Sequence, residues 1–301
     1  MAITKLDQMF EVLKSKTKKR LVAAYANDSH TIEAVSEAVD KGIVDGILVG
    51  DESTMRNVCA QLGVSADKFR LVHEPNEGKA AAVAVKLVNS GEGDLLMKGL
   101  VSTDKYMKAI LNKEEGLMDP GAVLSHVTVM ENPLYHKLLI VGDVAIIPLP
   151  EFKQKVAILN YLVNTAKALG IEKPKVAVIT ASEQVLAGMP SCVDAALLSK
   201  MADRGQITGA YVDGPLALDA AIDKESAEIK KLTGPVAGDA DCLLFPNIEA
   251  GNVFYKTNTK MAGAELGAFV AGARVPCVLS SRGDSAQTKL YSIALAAMIA
   301  K

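Results

Sequence analysis

Two rhythms of apolar positions alternate along the chain. Leu6, Met9, Phe10 and Leu13 share one helical face, and short strand-like segments then recur at 21–26, 46–49, 70–73 and 94–97. Between those segments, Ile32, Val35 and Val39, and then Met55, Val58, Cys59 and Leu62, follow helical spacing, as does an Ala- and Val-rich stretch opened by Asn76 and closed by Gly91. Gly42 stands just past the end of the first of these helices, where glycine is favoured. Strand and helix in regular succession predict a parallel sheet with right-handed crossovers.

Residues 112–121, with Gly116, Pro120 and Gly121, are rich in turn formers and predict a boundary. A second α/β set follows, with strands at 127–130, 138–141 and 176–180 and a long helix over 151–169 closed by Gly170. A helix covers 195–201, 242–245 reads as a buried strand, and 261–271 reads as a small-residue helix. The last helix, 285–299, is expected to return to the first domain. The expected division is thus 1–119 plus 285–301 for one α/β domain and 120–284 for the other.

Half of the 301 residues are hydrophobic and only 4% aromatic, a profile suited to parallel strands covered by Ala-rich helices. The net charge of −2 gives no drive toward nucleic acid or membrane. Cys59, Cys192, Cys242 and Cys277 show no paired spacing and read as buried thiols of a reducing compartment. With no signal-peptide pattern at the start, a cytoplasmic protein is expected. His30, His73, His126 and His136 lack metal-ligand spacing. Asp239 and Asp241 alternate at a strand entry, and a divalent site there needs a third carboxylate from another element. There is no G-x-G-x-x-G after a strand, no P-loop and no nucleophile elbow, which lowers the weight of hydride transfer, nucleotide hydrolysis and serine catalysis.

The remaining chemistry lies in polar segments expected at the carboxyl ends of strands: 98–104, 142–143, 180–183, 213–219, 246–256 and 281–282. Residues 274–290, R-V-P-C-V-L-S-S-R-G-D-S-A-Q-T-K-L, run from a strand through a loop into a helix N-terminus. That is where open α/β sheets hold anions. Arg282 adds a fork of donors matched to phosphate oxygens. Asp284 or Ser285 fits the helix cap as well. Lys98, Arg282, hydroxyls and helix N-termini together suit anion binding and oxyanion stabilisation without covalent catalysis.

Several ordered motifs resemble the phosphate acetyltransferase and phosphate butyryltransferase family. They are D-G-I-L-V-G at 45–50, D-G-P-L-A-L-D-A-A at 213–221, G-P-V-A-G-D-A-D-C-L-L-F-P-N-I-E-A-G-N-V-F-Y-K at 234–256, and Ser281-Arg282-Gly283 followed by Ser285. The resemblance implies two three-layer α/β/α domains with mainly parallel sheets and an interdomain cleft, of the isocitrate/isopropylmalate dehydrogenase-like kind. It also implies reversible acyl transfer between coenzyme A and orthophosphate, with acyl-CoA, phosphate and acyl phosphate as partners, no cofactor, and a homo-oligomeric assembly.

The acetyl branch has an Asp seven residues after the loop Ser, acting on the CoA thiol. Here that position is Thr288, so Asp284, the nearest carboxylate in sequence, is both candidate base and candidate cap. Where the acetyl branch has an active-site Arg, this chain has Met107 between Lys105 and Lys108, and Lys98 is the candidate replacement. These departures favour the butyryl branch. The expected catalytic residues are Ser281, Arg282 and Asp284. Lys98, Ser102, Thr103, Asp213, Asn252, Gly283, Ser285 and Thr288 are the expected substrate-binding residues. Other readings are a phosphate acetyltransferase, an acyl-carrier-type phosphate acyltransferase, a metal-dependent decarboxylating dehydrogenase, and a non-catalytic acyl-CoA-binding regulator.

Overall fold

The computed structural model describes residues 2–279 and 284–301. The chain forms two compact units, a terminal unit of Asp7–Leu124 and Leu266–Lys301 and a central unit of Ser125–Glu265 joined by the segment up to Leu6. Both are α/β with mostly parallel strands.

The terminal unit begins with α1 (Gln8–Lys14), β1 (Lys19–Ala24), α2 (Ser29–Asp40), β2 (Val44–Gly50), α3 (Glu52–Leu62) and β3 (Phe69–His73). It continues through α4 (Glu77–Asn89), β4 (Leu95–Lys98) and α5 (Thr103–Ile110). β1 lies between β2 and β4, parallel to both, and β3 flanks β2. Leu21, Val22, Ala23 and Ala24 of β1, and Leu95, Leu96 and Met97 of β4, are fully buried. Burial on both faces is why these strands read as continuous apolar runs.

The central unit holds β5 (Ser125–Glu131), β6 (Leu139–Gly142), α6 (Phe152–Ala168), β7 (Lys175–Ile179), α7 (Pro190–Asp203) and β8 (Tyr211–Leu216). Then come α8 (Leu218–Ile222), α9 (Lys224–Ile229), β9 (Cys242–Leu244) and α10 (Ile248–Met261). β5 is antiparallel to β6, and β6, β9, β7 and β8 follow side by side in parallel.

The chain comes back to the terminal unit through β10 (Glu265–Ala271), β11 (Cys277–Val278) and α11 (Ala286–Ile299). β11 lies parallel to β4 and antiparallel to β10. The return therefore falls at Leu266 and not at Ser285, because two strands and a helix join the unit together. The turn-rich 112–121 stretch lies inside this unit, where Arg274 donates to the Gly116 carbonyl at 3.0 Å and its N–H to the Leu117 carbonyl at 2.8 Å.

The expected helix over 261–271 is a strand. α10 stops at Met261, Gly263 turns the chain with φ +68°, and β10 follows, buried from Leu266 to Ala271. Ala and Gly fit either period, and contact with α11 explains the small residues. A Cβ on Gly267 would stand 2.7 Å from the Tyr291 carbonyl oxygen, and the Ser292 hydroxyl accepts the Ala268 N–H at 3.0 Å. α11 itself is buried from Lys289 to Met298, mostly by apolar residues but with Lys289 and Ser292 buried among them. Tyr291 ties it to the start of the unit, stacking on Phe10 at 5.6 Å and donating to Asp7 at 2.7 Å.

Gly267→Ala is expected to cost ~1–3 kcal/mol, the usual range for overpacking. Urea unfolding should show a lower midpoint with an unchanged slope; a wild-type midpoint would mean that α11 yields at Tyr291.

Candidate active site

Strand order in the terminal unit reverses between β1 and β4, since β2 and β3 build outward on one side and β11 on the other. Crevices at such reversals, at the carboxyl ends of strands, are the ligand sites of open α/β sheets. Lys98 is the last residue of β4 and lies opposite Ala24 of β1. Past the strand ends, the N–H groups of Gly99 and Leu100 bond to the carbonyls of Ala24 and Tyr25 at 3.0 and 2.9 Å. Residue 99 must be glycine, because a Cβ would come within 2.6 Å of the Tyr25 oxygen.

Lys98 is only 5% exposed, and its Nζ donates to the Gly99 carbonyl at 3.3 Å. An ammonium taken out of water needs dipoles or negative charge around it, and the Gly99 carbonyl is one such dipole. Below it, the buried Tyr106 hydroxyl reaches the carbonyls of Leu96 at 3.3 Å and Val278 at 3.2 Å, fastening α5 to β4 and β11.

Ser102 occupies the N-cap position of α5, yet its side chain makes no capping bond, and Thr103 beside it is exposed. The Ser102 N–H donates instead to Glu77 Oε1 at 2.6 Å, while Lys105 pairs with Glu77 Oε2. Lys105, a neighbour of the missing acetyl-branch Arg, is thus engaged with α4. Glu77 went unnoticed in the sequence, where it reads as an ordinary first-turn acid.

Lys98, Ser102 and Thr103 are brought to one edge, and the register of Val278 against Met97 brings the end of β11 to the same edge. Ser281, Arg282 and Gly283 lie outside the described residues. Ser285 caps α11, its Oγ accepting the Thr288 N–H at 3.1 Å and lying 3.0 Å from the Thr288 hydroxyl. The choice of cap between Asp284 and Ser285 falls to Ser285. Thr288, in the place of the acetyl-branch Asp, belongs to that cap.

In the central unit, Asp143 follows β6 and is buried. It accepts from the Ser125 hydroxyl at 3.0 Å and from the N–H groups of His126, Ala145 and Ile146 at 3.2, 2.7 and 2.9 Å. The 246–256 segment, expected as a loop, is largely α10, with Asn247 as its cap. Asn252 on α10 donates to the Val144 carbonyl at 3.0 Å, which holds the loop after β6. Asp213 lies within β8, three residues short of its end, and accepts its neighbour Gly214's N–H at 2.8 Å. Burial pushes its carboxyl above the ordinary value. β9 and β7 stand between β8 and β6, so Asp213 and the loop held by Asn252 are on separated strands.

Among known families, the model of the phosphate acetyl/butaryl transferase family matches residues 5–79 and 67–297. The chain belongs to this family. It is 48% identical to a phosphate butyryltransferase of Clostridium acetobutylicum, over 99% of each chain. A phosphate acetyltransferase of Thermotoga maritima is 41% identical over 98% of this chain and 99% of its own. A branched-chain phosphotransacylase from Enterococcus faecalis superposes with a TM-score of 0.82 at 29% identity, covering 93% of this chain and 99% of that one. No helix among the described residues is long and apolar enough to cross a membrane.

In this family member the Asp239–Asp241 pair is an ion-pair cluster at the opposite, amino-terminal end of β9. Asp239 pairs with His136 and Lys137, both at 2.9 Å, and with Lys175, while Asp241 pairs with Lys137 at 2.7 Å. Burial works against ionisation of Asp239, but the bonds from Lys137 and Lys175 outweigh it and hold its pKa at about 2. An unfolded aspartate titrates near ~3.9. Because the folded value is the lower one, the stabilisation is complete above ~3.9 and is lost as pH falls toward about 2. Urea midpoints should therefore drop between pH 5 and pH ~2.5 by more in wild type than in Asp239→Asn. Equal drops would mean that Asp239 carries no such linkage.

Proposed function

We propose that the chain catalyses reversible transfer of a short acyl group, butyryl foremost, between coenzyme A and orthophosphate. The observation that carries this reading is the end-to-end identity with the clostridial phosphate butyryltransferase. The terminal-unit edge supplies the chemistry. A phosphate oxygen attacks the thioester carbonyl, the carbonyl carbon becomes tetrahedral and negatively charged at oxygen, and the C–S bond then breaks to release CoA thiolate. Lys98 faces this site as a buried cation, and the start of α5 adds oriented N–H groups. Arg282 and the backbone of Gly283 and Ser285 bind phosphate or the oxyanion in this reading, and Ser281 bonds the sulfur. Coenzyme A and phosphate enter as substrates, with no resident cofactor, in the cytoplasm. The layering of both units is read as the isocitrate/isopropylmalate dehydrogenase-like α/β/α kind, which their mostly parallel strands support.

In the acyl-phosphate direction a base must take the CoA thiol proton, whose pKa of ~8.5 asks for modest help. Asp284 fills that role. It stands one residue before Ser285, which caps α11.

CoA release from a C2 to C8 acyl-CoA series should depend on phosphate and be fastest near four carbons. No release with any of them would sink the transferase reading. Asp284→Asn should lower turnover of acyl phosphate with CoA by about 10²–10⁴, the typical contribution of a general base. Ser285→Ala should instead lower stability by ~1 kcal/mol through the lost cap. Full activity of Asp284→Asn at pH 7 would assign the proton to another group.

A further inference from the structure

Glu77 opens α4, but its carboxylate works outside that helix. Asn76 already caps α4, accepting the Lys79 N–H at 3.0 Å. Glu77 reaches instead to the start of α5, where Oε1 holds the Ser102 N–H at 2.6 Å and Oε2 pairs with Lys105. Ser102 is the extended residue at which the loop from Lys98 turns into α5, with φ −62° and ψ 148°. A bond at that N–H fixes where the loop ends and how the first turn of α5 is aimed.

The same bond creates an electrostatic problem. A carboxylate at a helix N-terminus stabilises the helix but repels an anion bound there. Lys105 answers it from within the first turn of α5. The Lys105 pairing, and then the Ser102 N–H, hold the Glu77 pKa below the usual carboxylate range, so the group stays ionised at neutral pH. Lys105 is 51% exposed, so the pair adds little to stability. Its consequence is the local field at the loop.

We propose that Glu77 and Lys105 form a positioning pair for a phosphate-binding loop over 98–103, with Glu77 fixing the loop through the Ser102 N–H and Lys105 cancelling the charge of the carboxylate that does so. The inference rests on the reading that this loop takes phosphate. Neither residue touches the reacting atoms.

The test is steady-state kinetics of the full chain at low ionic strength, with inorganic phosphate and butyryl-CoA varied separately. Wild type is compared with Glu77→Gln, Glu77→Ala, Lys105→Met and the Glu77→Gln/Lys105→Met double variant. Glutamine keeps an acceptor for the N–H, so the phosphate KM should stay within about threefold of wild type. Alanine frees the loop, and the phosphate KM should rise about tenfold, equivalent to one lost bond of ~1.4 kcal/mol, with the butyryl-CoA KM unchanged. Lys105→Met leaves the carboxylate uncompensated and should raise the phosphate KM about tenfold at low salt, less at high salt. The double variant removes charge and counter-charge together and should restore it to within about threefold. A merely structural pair would lower melting temperatures and leave the phosphate KM of the folded enzyme flat. A flat series, or a double variant no better than Lys105→Met, overturns the pair while active wild type keeps the reaction. A wild type without phosphate-dependent CoA release removes both.

Discussion

Taking the Lys98 ammonium out of water costs several kcal/mol unless dipoles or an anion stand in for its hydration. The terminal unit places that charge where β1 and β4 part, and the surrounding geometry follows from keeping it there. Gly99 lets the two strand ends lie against each other, and Tyr106 fastens α5 to the carbonyls of β4 and β11. Ser285 caps α11. In the proposed reaction a phosphate in this crevice meets the positive charge of Lys98, and the same positive field then stabilises the oxyanion as it forms.

The central unit solves a different problem with similar parts. Asp143 gathers four donors after β6, and Asn252 reaches across from α10 to the same loop. These bonds order a strand exit by satisfying buried backbone groups. At the other end of the strands, Lys137 and Lys175 hold Asp239 and Asp241, which removes that pair from consideration as metal ligands. Acidic residues alternating at a strand entry look the same in sequence whether lysines or a cation face them.

Strands buried on both faces, caps such as Asn76 and stops such as Gly42 and Gly170 were legible because each rests on local chemistry. The end of β4 at Lys98 was legible too, as a lysine closing an apolar run. β10 was not, since a run of Ala and Gly satisfies helix and strand periods alike and only its contact with α11 decides. The return at Leu266 was not legible for a different reason: pairing of β11 with β4 joins residues far apart in the chain. Glu77 gave no signal at all: its partner lies 25 residues on and is a backbone N–H, which no motif records. Ser285 and Asp284 are indistinguishable as caps in sequence, and the bond from the Thr288 N–H decides between them.

In the proposed reaction Lys98 is the cation for phosphate, and Lys98→Met tests that role most directly because methionine keeps the stem and removes the charge. The phosphate KM should rise at least about tenfold, an anion contact of ~1.4 kcal/mol or more, while the acyl-CoA KM stays near wild type and circular dichroism shows an intact fold. An unchanged phosphate KM in a folded Lys98→Met enzyme would contradict it.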